Sequence, residues 1–321
     1  MKGERKLKKA KLTERQYDLI RLLVSMPERN LKLSLEAALK KYYNEEDLII
    51  SPYYIAAKGQ MPVALVAHLD TVHTIPVINM YHDLVEGVLW SPEGIGADDR
   101  AGVFSILEIL GKGYRPSVIF CCKEEVGGVG AGHFVMENPE PFTGVKYLIE
   151  LDRQGEDDSV YYRCANDKFE QMINTYGFNT EWGSFSDISI IAPAWGISAV
   201  NLSVGYYDEH SLGETWHYRQ TLKTIEKVCK ILEDSVVDEN EYEYIQGLSI
   251  WEKFGLEDLD TDNFCMACGK DIPQELTITV KDKDGIFQLC PGCAADFCSF
   301  CDVCHEPYFE IDKHICGGLT V

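Results

Sequence analysis

The sequence lacks long apolar runs, and it is poor in basic residues. No segment approaches the ~20 consecutive apolar residues that a membrane-spanning helix needs, so we expect no membrane partner. The 30 lysines and arginines stand against 52 acids, which gives a net charge of −22. Because phosphate binding depends on a basic surface, this charge makes a nucleic-acid partner unlikely.

The sequence also lacks an apolar segment after its basic first residues, so we expect no secretory signal and a cytoplasmic location. Cysteine is abundant, but eight of the twelve lie between residues 265 and 316, mostly in C-x-x-C pairs. A cytosolic chain uses such pairs for metal rather than for disulfides. The other four stand in apolar or helical contexts and are interpreted as core residues: Cys121, Cys122, Cys164 and Cys229.

The length of 321 residues predicts one large domain and a small appendage. Apolar spacing predicts helices over 13–26, with Thr13 as cap, over 33–43, over 99–111 and over 215–233. Between them lie short runs typical of buried strands. We therefore expect an α/β fold with a mostly parallel sheet flanked by helices. The proposed divisions are 1–44 (helical), 45–237 (main domain), 238–263 (acidic linker) and 264–321 (cysteine module).

Acids and histidines recur where predicted strands give way to loops. They are His68, Asp70, Asp98, Asp99, Glu124, Glu125, Asp152 and His210. In α/β folds active sites lie outside the carboxyl ends of the strands, so these side chains are expected to converge. A lone histidine is more often a core residue, but two imidazoles with several carboxylates suit a pair of hydrolytic zinc ions.

Two local patterns support that interpretation. His68 and Asp70 lie two residues apart, so in an extended segment they share a face and Asp70 can orient the imidazole. Glu124 and Glu125 are consecutive, so on a strand one can bind metal while the other faces the substrate as general base. Asp98 and Asp99 open a predicted helix, and Asp99 can equally be its cap.

Five motifs, in this order, resemble those of the co-catalytic di-zinc exopeptidases, the superfamily of bacterial aminopeptidases, tripeptidases and acyl-amino-acid deacylases. They are His68-Leu-Asp-Thr-Val, Gly96-Ala-Asp-Asp-Arg-Ala-Gly102, Glu124-Glu-Val-Gly, Leu151-Asp152 and Glu209-His-Ser. The resemblance covers about residues 45 to 235. It implies that Asp98, or Asp99 if the register is one off, bridges two zinc ions. It places His68 and Asp152 at one ion and Glu125 and His210 at the other.

The same resemblance implies that Glu124 is the general base and Asp70 the acid that orients His68. Relatives often carry an inserted lid domain, but the gaps from His68 to Asp98 and from Asp152 to His210 are only 30 and 58 residues. We therefore expect no inserted lid domain. Asp187 is a weaker candidate, either for a substrate amine or as a helix cap.

The cysteine module has the spacing of a zinc ribbon. Cys265-x-x-Cys268 and Cys290-x-x-Cys293 flank a predicted hairpin, and so form one expected structural zinc site. A second site is expected from Cys301, Cys304, His314 and Cys316, although Cys298 and His305 compete for places in it. Since a fold of ~55 residues has little core, zinc would stabilise it, and a protein partner is conceivable there.

The sequence as a whole predicts zinc-dependent hydrolysis of an amide bond in small peptides or N-acyl amino acids, most plausibly by an aminopeptidase. The alternative is a non-catalytic interaction protein that uses the ribbon and keeps a hydrolase-like platform. A single-zinc acyltransferase or cyclase on the same fold is a third possibility. Acidic candidates for a substrate amine are Asp187 and Glu209, and basic candidates for a substrate carboxylate are Arg100 and Arg163.

Overall fold

The computed structural model describes residues 11–244 except 163, 165 and 184. Of the C-terminal part it describes 277–282, 285–289, 291, 294, 298–300, 307–309, 315–316 and 319–320. The chain divides into two compact units, Met1–Gly247 and Leu248–Val321. Each unit is considered by itself below.

The first unit alternates helices with strands. Its helices are α1 (Glu14–Val24), α2 (Glu28–Leu39), α3 (Ala97–Gly111), α4 (Val129–Glu137), α5 (Asp167–Asn174), α6 (Ile188–Trp195) and α7 (Tyr218–Ser235). Its strands are β1 (Leu48–Ile50), β2 (Tyr54–Ala57), β3 (Val63–His68), β4 (Tyr81–Asp83), β5 (Val88–Trp90), β6 (Ser117–Cys121), β7 (Tyr147–Arg153), β8 (Asp158–Val160), β9 (Asn179–Glu181), β10 (Ser198–Ser203), β11 (Tyr206–Tyr207) and β12 (Thr215–His217).

Eight of these strands form the central sheet, in the order β1-β2-β6-β3-β7-β10-β8-β9. The four middle strands, β6, β3, β7 and β10, run parallel to their neighbours within that group. The antiparallel pairs are β1-β2, β2-β6 and β10-β8, so they flank the parallel group on its two sides. The expected α/β fold with a largely parallel sheet is therefore confirmed, and the parallel strands bring their carboxyl ends to one edge.

Both faces of the sheet are buried, as the apolar strands predict. In β3 the side chains of Val63, Leu65 and Ala67 belong to one core cluster, and those of Ala64 and Val66 belong to the other. The first cluster includes buried residues of α1, α2, α3, α5 and α7, and the second includes residues of α4 and α6. The described segments that follow Asp152 thus supply sheet strands and covering helices.

The helix boundaries follow local capping chemistry. Thr13 caps α1 as predicted, because its hydroxyl accepts the backbone N–H of Gln16 while the Gln16 side chain accepts the Thr13 N–H. The helix predicted over 33–43 instead spans Glu28–Leu39, since Leu31, Leu35 and Leu39 form its buried stripe. The four cysteines interpreted as core residues are all buried.

A second, four-stranded sheet in the order β11-β12-β5-β4 was not predicted. Its strands have only two or three residues, too few to show a periodicity. The helix predicted from residue 215 begins only at Tyr218, because Thr215–His217 pair with Val88–Trp90 as β12. This small sheet joins the segment before α3 to the segment that follows His210.

The start of the proposed acidic linker packs onto the first unit. Tyr242 is buried against Tyr147 and Phe169, and its carbonyl accepts the Ser198 N–H.

In the second unit β13 (Ile278–Asp282) pairs antiparallel with β14 (Gly285–Leu289), which confirms the predicted hairpin. The other pairs there join β15 (Cys298–Phe300) to β16 (Pro307–Phe309) and β17 (Ile315–Cys316) to β18 (Leu319–Thr320). Within the described parts of the chain, no helix combines the length and apolarity that crossing a bilayer requires.

We expect α1 to be an integral part of the core of the first unit. Ile20 is fully buried and Leu22, in the same helix, is half exposed. Replacing Ile20 by alanine should lower the free energy of unfolding by about 2–5 kcal/mol, because it leaves a cavity in the core. Leu22→Ala is the matched control, with an expected change of about 0.5 kcal/mol or less. Urea unfolding measures both, and equal losses from the two variants would contradict the packing of α1.

Candidate metal centre

The sheet edge formed by the carboxyl ends of the parallel strands collects the acids and histidines. His68 is the last residue of β3, Asp152 is near the end of β7, and Glu124 and Glu125 follow β6. Asp98 lies at the start of α3, and His210 lies in the loop between β11 and β12. Residues from five separate segments therefore meet at one place, as the sequence predicted.

One group of possible ligands consists of His68, Asp98 and Asp152. His68 Nε2 lies 3.0 Å from Asp98 Oδ1 and 3.5 Å from Asp152 Oδ1. One donor atom from each residue lies within 4.8 Å of the others. The tyrosine hydroxyl of Tyr206 donates to Asp152 Oδ1 at 3.2 Å, which helps to hold this carboxylate in place.

A second group consists of Asp98, Glu125 and His210. His210 Nε2 lies 3.2 Å from Asp98 Oδ2 and 3.0 Å from Glu125 Oε2. The His210 side chain is 54% exposed and its backbone has a left-handed φ of 59°. The centre is thus buried on the sheet side and accessible on the His210 side.

Asp98 belongs to both groups, and its two oxygens face different histidines. Asp99 faces elsewhere: its Oδ2 accepts the backbone N–H of His68 at 3.2 Å and its Oδ1 accepts that of Gly102 at 2.8 Å. The peptide bond between the two aspartates is cis. Asp98 therefore has the geometry of a bridging ligand, while Asp99 caps α3 and holds the end of β3.

Asp70 does more than the expected orientation of an imidazole. Its Oδ1 lies 3.3 Å from His68 Nδ1, and its two oxygens accept the backbone N–H groups of Glu124 and Glu125 at 3.0 and 3.1 Å. Burial raises the pKa of Asp70, but the contacts with His68 and the Glu124 amide outweigh it, so the pKa lies below its usual value. Asp70 thus lies next to the His68 ring and fixes the backbone of the two glutamates.

Glu124 lies beside the ligands but belongs to neither group. Burial, opposed by His68 and supported by the charge of Glu125, raises the pKa of Glu124 to about 7. A carboxylate with such a pKa can accept a proton and release it again near neutral pH. This position and environment suit the proposed general base.

The donor set fits a pair of zinc ions. Two imidazoles and three carboxylates are ligands that zinc accepts, and a bridging carboxylate is suited to two metal ions. Burial raises the pKa of Asp152, and hydrogen bonds to Asp98 and Glu125 raise that of His210 to about 11. The His210 shift reflects the carboxylates of Asp98 and Glu125 on either side of its ring.

A buried oxygen points to the same conclusion. Glu125 Oε1 is buried and has no hydrogen-bond partner among the described residues. A buried carboxylate oxygen without a partner is costly in a protein interior. A metal ion bound beside Glu125 would remove that cost.

The candidates for substrate recognition differ in their surroundings. Asp187 is fully buried, both its oxygens lack a hydrogen-bond partner among the described residues, and it makes no side-chain cap to α6.

Arg100 is also buried, and its guanidinium donates to the carbonyls of Leu69 and Met26. Glu209 is half-buried next to His210, where its Oε1 accepts from Gln154 Nε2 at 2.7 Å. Arg163 lies outside the described residues.

The sequence analysis missed three buried polar residues around the centre: Glu150, Glu214 and His73. Burial raises the pKa of Glu150 to about 8, and the Ser186 hydroxyl donates to it. The available signal was an acid within the apolar run 145–151, one of the short runs typical of buried strands. Glu214 and His73 had no such signal, because their contacts depend on the small second sheet.

The structure describes little of the cysteine module. Cys265, Cys268, Cys290, Cys293, Cys301, Cys304 and His314 lie outside the described residues. Of the eight expected ligands only Cys316 is described, and it lies in β17. The two structural zinc sites therefore stay predictions.

Several solved structures share this fold. Aminopeptidase PepT from Bacillus cereus is 16% identical, with 70% of this chain and 98% of that chain covered and a TM-score of 0.52. A tripeptidase from Staphylococcus aureus is 14% identical, with 70% and 99% covered and a TM-score of 0.56. A TET aminopeptidase from a marine-sediment Thaumarchaeota archaeon is 12% identical, with 70% and 98% covered and a TM-score of 0.55.

At these identities the structural likeness establishes the fold alone. A comparison with curated protein sequences gives no match. The sequence model of Peptidase family M28 matches residues 54–220, which is more than half of the chain and includes every candidate ligand of the metal centre. The chain therefore belongs to peptidase family M28.

Proposed function

We propose that the protein is a zinc-dependent aminopeptidase with a co-catalytic pair of zinc ions. The observation that carries this proposal is the sharing of Asp98 between the two ligand groups. His68 and Asp152 would complete the site of one ion, and Glu125 and His210 that of the other. Two ions that share one carboxylate are a recurrent arrangement in aminopeptidases and other hydrolases.

The chain's own residues account for the proton transfers. When bound, the zinc ions would supply Lewis acidity to the attacking water and to the substrate carbonyl. Glu124 would take a proton from the water and return it to the leaving amine, which is the role of a general base and then of a general acid. Asp70 would keep Glu124 in place through its backbone N–H.

The surroundings favour recognition of a free amino end over a free carboxylate. The guanidinium of Arg100 is buried and occupied by backbone carbonyls, so it is not available to a substrate carboxylate. Glu209 is partly accessible beside His210 and offers a carboxylate to a substrate amine. N-acyl amino acids are therefore the less favoured substrates.

A non-catalytic platform is less consistent with the geometry. All five proposed ligands and the proposed base are present, and each histidine lies 3.0–3.5 Å from the two carboxylates of its group. We further propose that the cysteine module holds one or two structural zinc ions and binds a protein partner. We also propose a cytoplasmic location, since clustered cysteines suit a reducing compartment.

Replacing Glu124 by glutamine should abolish catalysis without removing metal. The variant keeps the shape of the side chain but cannot accept the proton, so we expect kcat for aminoacyl amides to fall about 10²–10⁴-fold. Zinc content, measured by elemental analysis, should match that of the wild type. Glu86→Gln, at an exposed position, is the control and should keep full activity. Unchanged turnover in the Glu124 variant would refute its role as base.

Replacing His210 by alanine should remove one zinc ion and leave the fold intact. His210 is half exposed in a loop, so the substitution removes a ligand without opening the core. We expect about one zinc ion per chain fewer than in the wild type, with a similar midpoint of unfolding for the metal-free proteins. His133→Ala is the control, because this ring stacks on Tyr53 and belongs to neither ligand group. If His210→Ala retained the full zinc content, the ligand assignment would be wrong.

A further inference from the structure

We propose that Glu214 and His73 are positioning residues that hold the bridging carboxylate of Asp98 in place for the second zinc ion. The inference rests on the proposed function, because it concerns the same metal pair. Neither ligand group among the described residues contains Glu214 or His73. Their role would therefore be exerted through Asp98 rather than by direct coordination.

Glu214 binds the backbone on both sides of the start of α3. Its Oε2 accepts the N–H of Gly96 at 3.0 Å, and its Oε1 accepts the N–H of Asp98 at 2.9 Å. The side chain is only 1% exposed. A buried side chain that accepts two backbone N–H groups fixes the backbone that presents Asp98.

His73 completes the environment of that carboxylate. Its Nε2 lies 2.7 Å from Glu214 Oε2, and the side chain is mostly buried. The ring also lies directly against Gly94, where an added Cβ would come within 2.2 Å of His73 Cε1. Gly94 has a φ of +80°, so this approach requires glycine on two counts. The segment before Asp98 is thus held by both His73 and Glu214.

The location of Glu214 connects the two parts of the second zinc site. Glu214 lies four residues after His210 and directly before β12, and β12 pairs with β5, which leads into the Asp98 segment. The loop that carries His210 is itself internally bonded, since Ser211 contacts Asp208, Gly213 and Glu214. A shift of Glu214 would therefore disturb Asp98 and His210 together.

The hydrogen-bond pattern requires a carboxylate rather than an amide. Glu214 accepts three hydrogen bonds, from two backbone N–H groups and from His73, and both oxygens take part. Glutamine has one acceptor oxygen and a donor NH₂ group. In Glu214→Gln the new NH₂ group would replace one of the two oxygens. If it replaces Oε1, it faces the Asp98 N–H; if it replaces Oε2, it faces the Gly96 N–H and His73. In either case a buried donor is left without an acceptor, which is costly.

The test is a zinc titration of the metal-depleted full chain, in which a chromophoric zinc chelator reports how much zinc the protein binds. For Glu214→Gln we expect the weaker catalytic zinc ion to bind about 10–100-fold less tightly, the range found when partners of metal ligands are replaced. At saturating zinc, kcat for an aminoacyl amide should fall while KM changes little. Glu93→Gln is the matched control, since Glu93 lies in the same segment but bonds Ser91 and Asn79 instead.

Variants of His73 provide a second measurement in case Glu214→Gln fails to fold. His73→Gln keeps a donor toward Glu214 and should retain most of the zinc affinity. His73→Phe keeps a ring against Gly94 but removes the donor, so it should weaken zinc binding. Equal affinities for His73→Phe and the wild type, or for Glu214→Gln and the wild type, would overturn the inference. If the wild type itself binds no zinc pair and cleaves no peptide, the proposed function fails first.

Discussion

The carboxylate of Asp98, placed between two imidazoles, is the constraint on which the candidate site depends. Its oxygens lie 3.0 Å from His68 Nε2 and 3.2 Å from His210 Nε2. Asp98 is buried, so its charge must be balanced locally. Burial raises the pKa of Asp98, but the two imidazoles outweigh burial and lower it. A pair of zinc ions would balance the charge of Asp98 in the proposed enzyme.

Backbone amides, rather than side chains alone, hold the ligands. Asp70 bonds the N–H groups of both glutamates, Asp99 bonds those of His68 and Gly102, and Glu214 bonds those of Gly96 and Asp98. Each acid thereby connects segments that are distant in sequence. The parallel strands bring these segments to one sheet edge, and the buried acids then fix their relative positions. The positions of the candidate ligands therefore depend on the fold and on this second set of carboxylates.

The sequence predicted the parallel core and the converging residues because both depend on clear local patterns, namely apolar strands and the acids that follow them. The edge position of His68 was predicted on that basis. The Thr13 cap and the hairpin at Ile278–Leu289 were predicted from other local patterns, helix capping and the segment between the C-x-x-C pairs. The small sheet of β11, β12, β5 and β4 was not, since strands of two or three residues have no periodicity. Glu214 was missed for the same reason, because its partners are brought near only by that sheet.

The central claim is that Asp98 bridges two zinc ions. A crystal structure of the zinc-loaded protein, with anomalous data collected at the zinc edge, tests it most directly. We expect two strong peaks about 3.5–4 Å apart at the sheet edge. One Asp98 oxygen should contact each ion, with His68 and Asp152 at one and Glu125 and His210 at the other. A single peak at this edge, or two peaks bridged by Asp99 instead, would contradict the account.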